Sequence, residues 1–121
     1  MRLIEVKPEE TKLLRQVVLA LVKVAPGQFE RQASGHYVAT PKAGIRTSNK
    51  LRVWIYRTGS VIVEVTSMGS NREVGFKGRV AKALLPNFYY YWDVNSYDQF
   101  VDEHGASVVK MDIVVTAEHG R

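Results

Sequence analysis

The sequence predicts a single small α+β domain with an antiparallel or mixed sheet, an N-terminal amphipathic helix and two short helices in its C-terminal half. Apolar residues recur at helical spacing near the N-terminus, and two β-branched segments, 51–57 and 61–67, flank a short turn. The 121 residues contain no linker, repeat or low-complexity tract. We therefore expect one domain over residues 1–121, with 117–121 as a loose tail.

The N-terminal helix is predicted over about 8–25, after a short alternating strand at 2–6. Pro8 suits a first helical turn, and Pro26 with Gly27 suits a helix end. The apolar residues with a spacing of three to four are Leu14, Val17, Val18, Leu21 and Val24/Ala25. This spacing predicts an amphipathic helix with one buried face.

The hairpin formed by 51–57 and 61–67 has two possible loops, and the loop decides which side chains share a face. A three-residue loop, 58–60, sets Arg57 opposite Val61 and produces one uniformly aliphatic face. A two-residue loop, 59–60, exchanges the two faces. We favour the three-residue loop because of that aliphatic face.

In the favoured register, Arg52, Trp54 and Tyr56 form a row on the other face of the sheet. Two interpretations of this row remain open. The aromatic rings pack beneath a helix, as Trp and Tyr in strands more often do. Alternatively, they form a platform on which unpaired bases stack while cations meet phosphates.

The C-terminal half predicts a short helix over 79–85, ended by Pro86, and a second helix over about 96–104. Ser96 and Gln99 have capping-box spacing, and Gly105 is placed to end that second helix. Residues 108–116 alternate between apolar and polar side chains, which predicts a final strand.

Charge is distributed unevenly along the chain. Residues 31–82 hold ten basic and two acidic residues, a net charge of +8, whereas 83–121 carry a net charge of −4. A concentrated positive field attracts polyanions, and this predicts a nucleic-acid-binding protein that favours single strands. The expected contact residues are Lys42, Arg46, Lys50, Arg52, Trp54, Tyr56, Arg57, Arg72, Lys77, Arg79 and Lys82.

Residues 74–82, VGFKGRVAK, carry two glycines that flank Phe76 and Lys77. This segment resembles the GxxG loop of the KH module, which clamps a nucleic-acid backbone. The resemblance implies phosphate contacts from Lys77 and Arg79 and covers about nine residues. A KH loop joins two helices, and the polar stretch 70–74 is too short for the first of them.

The hairpin and the stretch 71–74 also resemble the sheet of small ribosome-dependent mRNA-cleaving toxins, which position and cut RNA. That resemblance implies roles for Arg52, Tyr56, Arg57 and Arg72 in an RNase. The C-terminal forty residues have no place in that family's fold, and no complete acid–base set is visible in the sequence. Whether the protein is an enzyme stays open, and we lean towards a non-enzymatic protein.

The aromatic run at 88–92 supports an alternative function, a protein-interaction module such as a small regulator or inhibitor, encoded by a virus or a mobile element. These rings can pack at the core edge, bind a protein or stack on bases. The expected interface combines the run with the acidic helix: Tyr89, Tyr90, Tyr91, Trp92, Asp98, Asp102 and Glu103. Its partner would be another protein or a second copy of the chain.

Composition excludes several classes of protein. The chain has no cysteine, which excludes disulfide frameworks and thiolate zinc sites. We expect no metal, no cofactor and no membrane segment, because the longest aliphatic run is six residues, 17–22. We also expect a cytoplasmic protein that begins at its own first methionine.

Overall fold

The computed structural model describes residues 12–44, 47–68 and 75–120. These residues form two short helices and six strands. In chain order they are α1 (Lys12–Leu21), β1 (Phe29–Arg31), β2 (Tyr37–Ala39), β3 (Lys50–Ile55), β4 (Val61–Met68), α2 (Gly75–Leu84), β5 (Phe88–Val101) and β6 (Ser107–Glu118). All strand pairs are antiparallel, and the strands form one open sheet in the order β1-β2-β3-β4-β6-β5.

The predicted fold class is wrong, because the described chain is mostly antiparallel sheet and holds two short helices rather than three. The helix predicted over 8–25 is α1, which ends at Leu21 and continues as a turn. Residues 2–11, including Pro8, lie outside the described residues. The helix predicted over 79–85 begins four residues earlier, at Gly75. Strand β6 continues to Glu118, so residues 117 and 118 are not part of a loose tail.

The second predicted C-terminal helix, 96–104, is absent, and its residues form the end of β5 and a turn. Ser96 does not cap a helix. Its Oγ donates to the carbonyl of Asp93 at 2.6 Å and accepts from the backbone N–H of Asp112 at 2.8 Å. The local capping-box spacing is therefore overridden by pairing with β6, which satisfies backbone groups across the sheet.

Three hairpins of the sheet have the same turn. In each, three loop residues separate the paired positions, and the third is a glycine with positive φ: Gly35, Gly59 and Gly105. Each glycine donates its N–H back across the turn, as Gly59 does to the carbonyl of Tyr56 at 2.8 Å. Three-residue hairpins favour glycine here because this position is left-handed. The same turn thus joins β1 to β2, β3 to β4 and β5 to β6.

The β3–β4 loop has three residues, as predicted, but it spans 57–59 rather than 58–60. Ile55 therefore lies opposite Val61, and Arg52 lies opposite Glu64. Because the pairing shifts by two residues, the same side chains share each face as in the predicted register. The aliphatic face and the face with Arg52 and Trp54 are both as expected.

Both helices pack on the aliphatic side of the sheet, which we call the helix face. Its strand residues include Leu51, Val53, Val61, Val63, Val65, Ile113 and Val115, all fully buried. Helix α1 contributes Leu14, Val17, Val18 and Leu21, and α2 contributes Phe76, Val80, Ala83 and Leu84. Burial of these side chains is the main stabilising contribution, at ~25 cal/mol per Å² of apolar surface. Neither helix, within the described residues, has the length and apolarity of a membrane span.

Candidate nucleic-acid interface on the open face

The opposite side of the sheet, which we call the open face, carries the candidate site. Neither α1 nor α2 packs on it. Along β3 it presents Arg52 and Trp54, both partly exposed. The ring of His36 lies 4.8 Å from that of Trp54, and the Arg52 guanidinium lies 5.3 Å from the same ring. Trp54 is thus held in place by one aromatic and one cationic neighbour.

The turn after β3 extends this cluster. Tyr56 is 44% exposed, and the Arg57 guanidinium lies 5.6 Å from its ring. At the other end of β3, Lys50 is exposed. Burial, and to a smaller extent Arg52, lowers the pKa of His36, which favours its neutral imidazole. We call Lys50, Arg52, Trp54, Tyr56 and Arg57 the β3 strip.

An acidic row lies beside the β3 strip on the same face. One residue from each of four neighbouring strands lies directly opposite the next: Arg52 on β3, Glu64 on β4, Asp112 on β6 and Asp93 on β5. Glu64 is the most buried of the salt-bridged groups here, and its carboxylate lies 3.8 Å from Arg52 Nε and 3.6 Å from Lys110 Nζ. Two cations therefore share one carboxylate, which leaves part of the Arg52 charge uncompensated.

Asp112 is compensated less well. Burial, together with the neighbouring carboxylates of Glu64 and Asp93, raises its pKa to about 6, although Lys110 and Arg52 act in the opposite direction. Within the described residues, no three His, Asp or Glu side chains, including those of this row, are grouped closely enough to hold a metal ion. The carboxylates of Glu64, Asp112 and Asp93 make this half of the open face unfavourable for anions.

A groove of about 840 Å³ opens at one end of this face, between the 40–50 segment and the β5–β6 turn. The hydroxyl of Ser48 donates to Asp102 Oδ2 at 2.8 Å and ties the two walls together. That hydrogen bond is the main reason that the pKa of Asp102 is lowered. The groove is lined by three lysines and three acidic residues: Lys42, Lys50, Lys110, Glu64, Asp102 and Glu103. Its charge is balanced, so it is less suited to a polyanion than the β3 strip.

The predicted contact residues on α2 do not join this surface. Arg79 and Lys82 are exposed on α2, on the other side of the sheet. Lys77 is 1% exposed, and its Nζ donates to Ser67 Oγ at 2.5 Å. Burial lowers its pKa. The GxxG segment is helical from Gly75 and is not a loop, so the KH-like arrangement is absent. Arg46 and Arg72 lie outside the described residues.

The aromatic run at 88–92 lies in β5, where its side chains alternate. Tyr89 and Tyr91 are exposed, whereas Tyr90 and Trp92 pack against the core. Asp98 is exposed on the same strand, and Asp102 and Glu103 lie at the β5–β6 turn. The predicted interface residues therefore lie along a strand and its turn, not on a helix.

Sequence reasoning missed His36 and the complete acidic row. The β1–β2 turn brings His36 next to Trp54. Gly35, with its positive φ, is the third loop residue of that turn, and a glycine at this position indicates how β1 and β2 pair. The Arg52–Glu64 pair would have selected the correct hairpin register, since opposite charges favour direct cross-strand positions.

Comparison of the chain with known protein families, with curated protein sequences and with solved structures found no match.

Proposed function

We propose that the protein is a small, non-enzymatic binder of single-stranded nucleic acid, and that the β3 strip is its contact surface. The observation that carries this proposal is the position of Trp54: it lies partly exposed on the open face, with the His36 ring 4.8 Å and the Arg52 guanidinium 5.3 Å from its own ring. Aromatic rings flanked by cations bind unpaired nucleotides through base stacking and phosphate contacts. The proposal includes a cytoplasmic location and needs no cofactor.

Charge supports a path along the strip. Lys50 lies at one end and Arg57 at the other, and Arg52 lies between them. The acidic row begins one strand away, at Glu64, and excludes phosphates from the β6–β5 half of the face. Two to three phosphate contacts fit this strip, so log K should fall with log salt with a slope of about −2. Base stacking without hydrogen-bonded readout implies weak sequence selectivity.

The test uses the fact that the chain has two tryptophans. Trp92→Phe leaves Trp54 as the emitting residue, and Trp54→Phe leaves Trp92, which packs against the core. Labelled single-stranded and duplex oligonucleotides are titrated over a salt series while tryptophan emission is followed. We expect quenching in the Trp92→Phe protein, no quenching in the Trp54→Phe protein, and affinity several-fold weaker in the latter.

Circular dichroism on both variants controls for folding. Tight binding without any change in Trp54 emission would contradict stacking on this strip. Absence of binding at low salt would contradict the proposed function as a whole, because the phosphate contribution is then at its largest.

A further inference from the structure

Strand β5 lies at an edge of the sheet, so one side of its backbone faces outward. It has 14 residues, whereas the strand at the other edge, β1, has three. Proteins usually shorten or protect an edge strand, because unpaired backbone N–H and C=O groups can pair with another chain. Strand β5 contains no lysine, arginine or proline, the residues that commonly block such pairing.

The side chains of this edge are unusually apolar for a surface. The described residues include ten exposed large hydrophobic side chains, and six of them lie on β5. Tyr89 and Tyr91 are 57% and 55% exposed, although their neighbours Tyr90 and Trp92 pack against the core. Exposed aromatic side chains along a strand edge that no other described strand covers are typical of a protein-binding surface.

We propose that a second copy of this chain occupies the edge, with the two β5 strands paired antiparallel about a two-fold axis at Tyr90. The β5–β6 register shifts at two places. Between Tyr89 and Tyr90 the extra residue belongs to β6, so the residues of β5 remain consecutive there, whereas between Asp93 and Asp98 the extra residues belong to β5 itself. The second shift limits regular pairing of β5 with another chain to residues 88–93. A two-fold axis perpendicular to the sheet keeps the same face of both copies on the same side. Residues that pair across the axis must therefore belong to the same face. This holds only when the axis lies at the position of one residue, which then pairs with its own copy, and not between two consecutive residues.

Charge and length then select Tyr90. An axis there pairs 88–92 completely, sets Tyr89 against Tyr91 of the second copy, and sets Phe88 against Trp92 of the second copy. An axis at Tyr91 would place Tyr89 against the Asp93 carboxylate, and an axis at Trp92 would run into the bulge. The Tyr90 register keeps the acidic residues apart and matches aromatic with aromatic, a favourable cross-strand pair.

The resulting contact is short, so we expect a reversible dimer with a roughly micromolar dissociation constant. The two sheets would join into one of twelve strands, given six in each copy. In that arrangement, both helix layers lie on one side and both open faces on the other. The pairing involves none of the β3 strip, and the dimer therefore stands or falls independently of the proposed function.

The experiment is sedimentation velocity over a range of protein concentrations, without nucleic acid. The wild type should dimerise as concentration rises. Y89K/Y91K places like charges opposite each other at both outer positions and should abolish the dimer. Y89K/Y91E places lysine opposite glutamate at both positions in the Tyr90 register and should retain it. Y97K, at an exposed tyrosine within the bulge, is the matched control and should leave dimerisation unchanged.

The Y89K/Y91E variant also tests the register. If the axis set residue 89 against residue 89 of the second copy, two lysines would face each other and the variant would not dimerise. A wild type that stays monomeric at the highest concentrations would overturn the proposal and leave the edge to a different protein. A Y89K/Y91K variant that still dimerises would overturn it as well, since the contact would then lie elsewhere. The substituted tyrosines are exposed, so circular dichroism should show intact folding.

Discussion

Glu64 and Asp112 lie directly opposite each other on β4 and β6, so two carboxylates face one another on the open face. Burial of Asp112 and the charge of Glu64 raise the pKa of Asp112 to about 6, from an ordinary value of 3.8. The folded protein therefore binds this proton more tightly than the unfolded chain does. The stabilisation that the protonated Asp112 contributes is fully present below the pKa that this carboxyl has in the unfolded chain, and it is lost as pH rises through about 6.

Asp112→Asn should accordingly stabilise the protein above about pH 7, where the charged carboxylate is unfavourable. We expect a gain on the order of 1 kcal/mol, discounted for partial solvent exposure, and almost none below about pH 4. Urea unfolding of both proteins across this pH range measures the difference. Asp98→Asn is the control, because Asp98 is exposed and lies opposite Lys110. An equal gain at all pH values would show that charge is not the cause.

Lys50 and Lys77 offer a matched test of the nucleic-acid surface, since one is exposed at the end of β3 and the other is 1% exposed in α2. Lys50→Met should weaken binding to a single strand several-fold and reduce the salt slope by about 0.7, the contribution of one phosphate. Lys77→Met should leave both quantities unchanged. Fluorescence polarisation over a salt series measures them. A large loss of affinity in a folded Lys77→Met protein would move the contact surface to the helix side.

Ser96 should be important for the bulge in β5, because its hydroxyl accepts from the Asp112 N–H where regular ladder pairing is interrupted. Ser96→Ala removes this acceptor and leaves the Asp112 N–H without it, which should lower the free energy of unfolding by ~1–2 kcal/mol. Ser96→Thr keeps the hydroxyl and should retain most of the stability. Urea unfolding measures the loss, and amide hydrogen exchange should show faster exchange at Asp112 in the Ala variant. Unchanged exchange there would mean that another group satisfies this N–H.

Several parts of the structure were predictable because they depend on short-range patterns. The apolar spacing from Leu14 to Leu21 predicted the buried face of α1, and its four residues there are buried. The pattern was expected to continue to Val24/Ala25, but these residues lie beyond the end of α1 and are only partly buried. Alternation along 51–57 and 61–67 predicted which residues share each face of the hairpin, and this is confirmed although the pairing is shifted. The loop position depended on Gly59, whose positive φ sets it at the third loop residue.

The C-terminal half was predicted poorly because local and long-range preferences disagree there. Ser96 and Gln99 have helical capping spacing, yet strand pairing with β6 satisfies more backbone groups and decides the structure. Lys77 follows the same principle: its neighbours in sequence suggest a phosphate loop, whereas packing of α2 places it at 1% exposure. Neither result can be obtained from nearest neighbours in the chain.

The amino-acid sequence by itself determined the basic middle and acidic end of the chain, the apolar face of α1, and the two faces of the β3–β4 hairpin. These follow from composition and from periods of 3.6 and two residues. Only the tertiary structure decided that Glu64, Asp112 and Asp93 form one row, and that β5 is an edge strand. Strand order brings together residues distant in sequence, and no local pattern encodes that order.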